Sequence, residues 1–194
     1  MRYTAAVLAL LMAAIPCFAQ EETWEETFDR DPEGWTVISG PDSWTTAEGR
    51  YIFPDFGWGR HMVMAPVEIV DGTITLSGGP IGISEAHGWG CFGVVVKYRD
   101  PGNFIALRFG AYGRVSIYKM DGGTRSFINI GTLEAEVGQM YEARLQVEGD
   151  QLRVWLEGEE LEPTTIGWAG KAGRVGIYTE TASAYDCVRI EGAR

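Results

Sequence analysis

Several aromatic side chains in this sequence stand between glycines, where they could form a binding platform. Asp55–Arg60 reads Asp-Phe-Gly-Trp-Gly-Arg, and His87–Gly90 reads His-Gly-Trp-Gly. A flat aromatic ring can pack on the C–H face of a sugar while polar neighbours bond the hydroxyls. The pattern predicts a ligand-binding set in the loops: Phe56, Trp58, Arg60, His87, Trp89, Tyr112 and Trp168. The alternative for each ring is a packing plug at the end of the fold, because large aromatics are mostly buried.

Trp155 is a separate candidate because it belongs to an alternating strand pattern. Its parity places it on the same face as Arg144 and Arg153, since alternate residues of a strand share a face. Together with Arg108 and Lys97, these residues predict a polar sheet face that carries one indole. Trp155 therefore joins the predicted ligand-binding residues.

The acidic residues offer no evident catalytic pair. Retaining glycosidases place two carboxyl groups about 5 Å apart, commonly on one face of a strand. Glu68 and Asp71 have opposite parity beside a turn, which indicates a solvated strand end. Glu134 and Glu136 share parity but fall in a loop-like stretch without a third acid.

The histidines do not complete a nucleophile or zinc site in the sequence. His61 and His87 are the two histidines, and the chain has no Gly-x-Ser-x-Gly turn. Their spacing with Cys91 matches no zinc-binding signature. The residue pattern therefore favours binding over catalysis.

The candidates must be positioned by β-strands, because the sequence beyond its N-terminal segment has almost no helical periodicity. Between Tyr141 and Glu157, apolar and polar residues alternate on both sides of Gly149-Asp150, which predicts a β-hairpin with one buried face. Further short strands are predicted at 23–28, 35–38, 50–53, 93–98, 104–109, 114–119, 125–130, 173–179 and 185–190. This spacing predicts an all-β fold of two antiparallel sheets, a sandwich or jelly roll.

Residues 1–19 predict a secretory signal peptide. Arg2 gives a positive start, an apolar run extends from Ala5 to Ile15, and Ala19 precedes the expected cleavage point. An uncleaved anchor or a buried helix is the alternative. We expect export to the periplasm or the exterior, and a single β-sandwich domain over residues 20–194.

The overall charge restricts the classes of partner. The chain has a formal charge of −11, which argues against polyanions such as nucleic acid. Neutral polymers, cations and basic partners suit this charge. No second apolar run reaches membrane length, so no membrane insertion is expected.

Cys91 and Cys187 are the two cysteines that follow the signal peptide. An even number of cysteines in an oxidising compartment favours a disulfide. If Val94 and Val188 face the core, parity places both thiols on outer sheet faces. They can then bond only if their strands are neighbours. The alternative is two half-buried free thiols.

The order of these motifs resembles that of concanavalin-A-like and laminin-G-like sandwiches. Asp100–Phe104 is similar to the D-x-x-N-[FY] strand start of that family, and Val147–Gly158 resembles its v-x-G-d-x-i-x-v-x-l-d-G segment. Gly170–Thr179 and Tyr185–Ile190 resemble its last two strands. In style the chain is nearest to bacterial exported domains grouped with 3-keto-disaccharide hydrolases.

The resemblance implies a structural calcium ion at the rim, tying the N-terminal segment to the last strand. The matching acids are Glu26, Asp29, Asp31 and Asp186, and their alternative is local turn hydrogen bonding. The fold hosts lectins, glycosidases and adhesion modules, so it does not decide activity. The leading prediction is an exported carbohydrate-binding or adhesion module with an oligo- or polysaccharide partner. The alternatives are a glycoside or 3-keto-disaccharide hydrolase and a structural or protein-binding envelope module.

Overall fold

The computed structural model describes residues 22–55, 59–84 and 86–193, which form β-strands, turns and a 3₁₀ turn at Ala111–Gly113. This described part of the chain contains sixteen strands: β1 (Glu22–Glu26), β2 (Thr36–Ser39), β3 (Thr45–Ala47), β4 (Arg50–Phe53), β5 (His61–Ile69), β6 (Gly72–Pro80), β7 (Phe92–Asp100), β8 (Asn103–Phe109), β9 (Arg114–Asp121), β10 (Thr124–Thr132), β11 (Tyr141–Glu148), β12 (Gln151–Leu156), β13 (Glu159–Glu160), β14 (Thr164–Thr165), β15 (Gly173–Thr179) and β16 (Ser183–Ala193).

The strands form two antiparallel sheets. One has nine strands in the order β13-β12-β11-β6-β16-β4-β3, with β1 paired to β16 and β14 paired to β12. The other has seven strands in the order β10-β9-β8-β7-β15-β5-β2. Neighbours such as β6 and β16 are far apart in sequence, so the chain crosses repeatedly between the sheets. The predicted all-β, two-sheet sandwich is confirmed.

Strand alternation builds the interior between the sheets. In the β11–β12 hairpin, Leu145 lies opposite Val154 and Val147 lies opposite Leu152. All four side chains are buried in the interior cluster together with Val188 of β16. Folding removes each of these apolar side chains from water, and this burial is the hydrophobic gain that holds the two sheets together.

The strand predictions omit β5 and β6, although both are nine residues long. All residues of 61–65 are buried, so this half of β5 lacks the alternation that identifies a half-exposed strand. β6 ends in Ser-Gly-Gly-Pro, which is typical of a turn. Gly79 is nevertheless needed in the strand, because a Cβ there would lie 2.0 Å from the carbonyl oxygen of Gln139.

A second set of buried side chains covers the outward face of the seven-stranded sheet. It is separate from the interior cluster, because its members alternate with interior residues along each strand. We call this set the outer layer; its buried members are Met62, Met64, Val95, Tyr98, Phe104, Ala106, Tyr118 and Tyr178. The seven-stranded sheet is thus buried on both faces over much of its area.

The predicted signal peptide, residues 1–19, lies outside the described residues. Within the described part of the chain, no helix has the length and apolar character needed to cross a membrane.

The predicted disulfide is not formed, and both cysteines are free. Cys91 immediately precedes β7 in the seven-stranded sheet, whereas Cys187 lies on β16 in the other sheet. The condition of neighbouring strands is therefore not met. Cys91 is also fully buried, and its backbone N–H donates a 2.9 Å hydrogen bond to the Thr181 hydroxyl. Burial is the main reason that the pKa of the Cys91 thiol rises to about 12.

Candidate functional site

A cleft of about 840 Å³ opens on the outward face of the seven-stranded sheet, above β8, β9 and β10. This volume is typical of a small-ligand site. The lining combines aromatic rings, arginines and small polar groups. Its members are Gly59, Arg60, Arg108, Ala111, Tyr112, Arg114, Ser116, Tyr118, Arg125, Phe127, Asn129 and Glu180.

Strand register explains why side chains from three strands meet in this cleft. Across the β8–β9 pair, Arg108 lies opposite Ser116. Across the β9–β10 pair, Tyr118 lies opposite Phe127. Directly opposed side chains of antiparallel strands have Cβ atoms about 5 Å apart, so they contact one another. The outward positions are the alternate residues Arg114, Ser116 and Tyr118 of β9 and Arg125, Phe127 and Asn129 of β10.

Tyr118 and Phe127 form an aromatic stack in the cleft. Their rings lie 4.9 Å apart between centroids with an interplanar angle of 11°. Tyr118 is buried, whereas Phe127 is 51% exposed. Arg60 donates from Nη1 to the Tyr118 hydroxyl at 2.7 Å, and its guanidinium carbon lies 5.6 Å from the centre of that ring. Phe127 therefore offers an apolar surface to a ligand, beside an arginine held in place.

A buried ion pair forms part of the cleft wall. Arg108 Nη2 lies 2.9 Å from Glu180 Oε2, and the two side chains are 6% and 9% exposed. Tyr178 donates its hydroxyl to the other carboxylate oxygen of Glu180. Burial, followed by the Glu180 charge, raises the pKa of Tyr178 well above its usual value, so this hydroxyl stays a donor. Burial is the largest single influence on the pKa of Arg108 and lowers it, but Glu180 together with smaller contributions from Cys91 and Tyr178 raises the pKa above its usual value.

A turn at one end of the cleft carries two further candidates, His87 and Trp89. His87 Nδ1 and Ser84 Oγ are 3.1 Å apart, and the turn is closed by a 2.9 Å bond from Ser84 N–H to the Trp89 carbonyl. The Trp89 ring lies 4.8 Å from Tyr112, and the His87 ring lies 6.2 Å from Tyr112. Ser84 is 1% exposed, so its hydroxyl positions His87 and is not presented as a nucleophile.

Tyr112 links this turn to the cleft. It lies in the 3₁₀ turn between β8 and β9 with a left-handed backbone, φ 56° and ψ 31°, which is uncommon for a bulky residue. Its side chain is 57% exposed. The structure therefore brings together four predicted site residues, with Arg60 and Tyr112 in the lining and His87 and Trp89 packed behind Tyr112. Phe56 and Trp58 lie outside the described residues.

Trp168 is not available to a ligand, contrary to the prediction. It is 1% exposed and belongs to the interior cluster. Its indole Nε1 donates to Asp121 at 3.4 Å, and the ammonium groups of Lys119 and Lys171 lie 5.8 and 5.5 Å from its ring. Trp168 is thus a packing plug, because a flanking glycine does not prevent a large ring from being buried.

The prediction that Trp155 shares one polar sheet face with Arg108 and Lys97 is also wrong. Trp155 lies on β12 between Arg144 and Arg153, with guanidinium carbons 4.6 and 5.0 Å from its ring centre. This face belongs to the nine-stranded sheet, on the other side of the molecule from the cleft. Arg108 and Lys97 lie on the seven-stranded sheet, and Lys97 is fully buried next to an irregularity in the β7–β8 register.

Sequence reasoning did not identify most of the lining. Tyr118, Phe127 and Arg125 alternate on β9 and β10, but parity alone does not say which side of a strand faces a cleft. Phe127 carried the best available signal, since Arg125 and Asn129 share its face and surround it with polar groups.

The acids predicted to bind calcium have local partners. Asp186 pairs with Arg50 Nε at 2.7 Å, Asp29 accepts from the Thr27 hydroxyl at 2.8 Å, and Glu26 accepts from the Phe28 N–H at 3.1 Å. In residues 22–55, 59–84 and 86–193, no group of three His, Cys, Asp or Glu side chains is placed to hold a metal ion. The calcium site, which also included Asp31, stays a prediction.

Comparison with known proteins identifies the fold. No protein-family model matches the chain, and no curated protein matches it in sequence. The carbohydrate-binding module CBM66 from Bacillus subtilis superimposes with a TM-score of 0.65 and 17% identity, covering 79% of this chain and 92% of that one. A β-1,3-1,4-glucanase (lichenase) derived from a mouse hindgut metagenome gives 0.63 and 10%, covering 88% and 99%.

A third similar structure is the κ-carrageenase from Pseudoalteromonas carrageenovora, with a TM-score of 0.59 and 9% identity over 94% of this chain and 100% of that one. At these identities the likeness concerns the fold. The chain is a concanavalin-A-like jelly-roll sandwich, as its motifs predicted.

Proposed function

We propose that this chain is an exported carbohydrate-binding protein whose ligand site is the cleft over β8, β9 and β10. The observation that carries the proposal is the exposed ring of Phe127 beside polar groups that are already held in position. Aromatic faces pack on the C–H surfaces of sugars, and fixed donors select their hydroxyls. The proposal of export comes from the N-terminal sequence pattern.

The polar groups around Phe127 are ordered before a ligand arrives. Arg60 is bonded to the Tyr118 hydroxyl, and Arg108 is held by Glu180. Arg125 lies with its guanidinium carbon 5.6 Å from the Phe127 ring centre. Groups that are fixed in advance lose less conformational entropy on binding, which favours affinity. Tyr112 adds a second exposed ring at the end of the cleft.

Binding is favoured over hydrolysis by the distribution of acids in the cleft. Among the described lining residues, Glu180 is the one carboxylate. It is already engaged by Arg108 and Tyr178. Both mechanisms of glycoside hydrolysis use two carboxyl groups, so the described lining supplies half of that requirement. Several similar structures are named as glycan-active or glycan-binding proteins, which is in keeping with a saccharide ligand.

A glycan array with the mature chain tests the proposal. We expect binding to at least one oligosaccharide, and a loss of about tenfold or more in affinity in the Phe127→Ala and Tyr112→Ala variants. Trp155→Ala is the matched control, because it removes a partly exposed aromatic ring from the opposite sheet. Circular dichroism would establish that all three variants keep the β-sheet fold.

Two outcomes would contradict the proposal. Equal loss of binding in Trp155→Ala and Phe127→Ala would place the ligand elsewhere. Release of new reducing ends from the bound oligosaccharide, abolished in Glu180→Gln while binding persists, would establish a hydrolase instead.

A further inference from the structure

The cleft is positively charged although the protein is acidic. The chain as a whole has a formal charge of −11 with 16 lysines and arginines. The described lining contains four arginines and a single glutamate, a formal charge of +3. Charge of one sign concentrated in a cleft attracts ligands of the opposite sign more strongly than the same charge dispersed over a surface. The negative charge of the whole chain therefore does not exclude an anionic ligand from this cleft.

Most of the cleft arginines have no carboxylate partner among the described residues. Arg108 is neutralised by Glu180. In residues 22–55, 59–84 and 86–193, no carboxylate comes within ion-pair distance of Arg60, Arg114 or Arg125. Three guanidinium groups with the same charge thus face one cleft. Bringing like charges together is unfavourable, so the arrangement is best explained by a ligand that supplies the missing negative charge.

Aromatic rings pack against the guanidinium groups of Arg60, Arg108 and Arg125, and such contacts leave N–H donors at the guanidinium edge for a ligand. The guanidinium carbons of Arg108 and Arg125 lie 5.2 and 5.6 Å from the Phe127 ring centre. Arg60 lies over Tyr118 in the same way. A planar guanidinium group binds a carboxylate or sulfate through two parallel hydrogen bonds.

We propose that the ligand is an anionic oligosaccharide, whose carboxylate or sulfate groups pair with Arg60, Arg114 and Arg125 while its sugar rings pack on Phe127 and Tyr112. This inference rests on the proposed function and specifies its ligand class. Strand geometry suits a charged chain, because Arg125 lies opposite Met120, six residues along β9 from Arg114. At about 3.3 Å per residue, the two strand positions are roughly 20 Å apart. The spaced arginines can therefore contact charges on different sugar residues.

Isothermal titration with matched oligosaccharides tests the inference. The probes are an oligogalacturonate, the same oligomer fully methyl-esterified, and a sulfated galactan oligomer. We expect the oligogalacturonate or the sulfated oligomer to bind about tenfold or more tighter than the neutral ester, with affinity falling as NaCl is raised from about 50 to about 500 mM. Whichever anionic oligomer binds more tightly identifies the preferred anion as carboxylate or sulfate.

Charge-removing variants connect the effect to the cleft. Arg114→Gln and Arg125→Gln alter exposed side chains, so the fold is expected to persist. Each should weaken binding of the anionic oligomer by about tenfold, the loss of one charge-assisted hydrogen-bonded pair. Arg144→Gln removes the same charge from the nine-stranded sheet and should leave affinity unchanged.

The remaining outcomes separate this inference from the proposed function. Equal binding of the acid and its methyl ester, unaffected by Arg114→Gln and Arg125→Gln but lost in Phe127→Ala, would overturn the anionic ligand and keep carbohydrate binding. Binding of single-stranded DNA through the same arginines, without binding of any oligosaccharide, would overturn both.

Discussion

Two arginine–glutamate pairs in this protein have similar geometry but occupy opposite faces of the sandwich. The Arg108–Glu180 pair has an N–O distance of 2.9 Å and side chains that are 6% and 9% exposed. The Arg153–Glu160 pair has a distance of 2.7 Å and side chains that are 49% and 34% exposed. The first pair lies in the cleft over the seven-stranded sheet, and the second lies on the outer side of the nine-stranded sheet.

The two pairs differ in solvent exposure because different side chains cover the outer faces of the two sheets. The nine-stranded sheet shows ordinary alternation in β11 and β12, with one face buried and the other in water. The seven-stranded sheet carries the outer layer, so water is excluded near Arg108 and Glu180. Coulomb interactions and desolvation penalties both increase away from water. The same chemical pair is therefore a surface feature on one face and a structural requirement on the other.

Removing one member of each pair gives the largest expected contrast. Arg108→Ala should lower the free energy of unfolding by about 3–5 kcal/mol, because Glu180 is left buried without its cation. Arg153→Ala should produce little measurable change, because water solvates Glu160 in its place. Urea denaturation near neutral pH, followed by tryptophan fluorescence, measures both. Equal shifts in the two variants would contradict the distinction between the faces.

Truncating one aromatic ring on each face gives an intermediate contrast. Phe104 of the outer layer is fully buried and meets Tyr118 edge-on, with ring centres 5.3 Å apart. Phe104→Ala should therefore lower the free energy of unfolding by about 3 kcal/mol. Trp155→Ala removes a partly exposed ring and its cation–π contacts, with an expected loss of about 1 kcal/mol or less. Thermal denaturation of both variants would rank them, and the reverse order would show that the outer layer contributes little.

The smallest expected effect is a pH dependence of stability due to His61, on the interior side of the seven-stranded sheet. The His61 side chain is buried, and its ring centre lies 4.1 Å from that of Phe53. Neither ring nitrogen has a hydrogen-bond partner among the described residues. Burial lowers its pKa, and the charge of Asp55 opposes this only in part. The unfolded chain, with a histidine pKa of about 6.5, binds the proton more readily than the native state.

The free energy of unfolding that depends on neutral His61 should therefore be fully present above about pH 6.5. It should decline as the pH falls towards the lowered native pKa of His61. We expect His61→Leu to decline less than the unaltered protein in urea denaturations at about pH 7.5 and about pH 5.5. Parallel declines would show that His61 does not contribute.

The sequence predicts the strands well where one face of the strand is buried and the other is exposed to solvent. The hairpin at 141–157 follows its alternation and its Gly-Asp turn closely, with β11 and β12 at 141–148 and 151–156. The prediction failed for β5, because the first half of that strand is buried on both sides and has no alternation to detect. Loop aromatics were identified as candidates, but exposed Tyr112 and buried Trp168 have the same glycine-flanked pattern.

The sequence by itself determined the all-β class, the antiparallel sandwich and the positions of most strands, since period-two alternation is a local property of each strand. Only the tertiary structure decided which face forms the cleft, which arginines share it and whether Cys91 meets Cys187. Those outcomes depend on which strands become neighbours, as when β6 pairs with β16. Strand pairing across a hundred residues is fixed by packing of the two sheets together, and no local pattern encodes it.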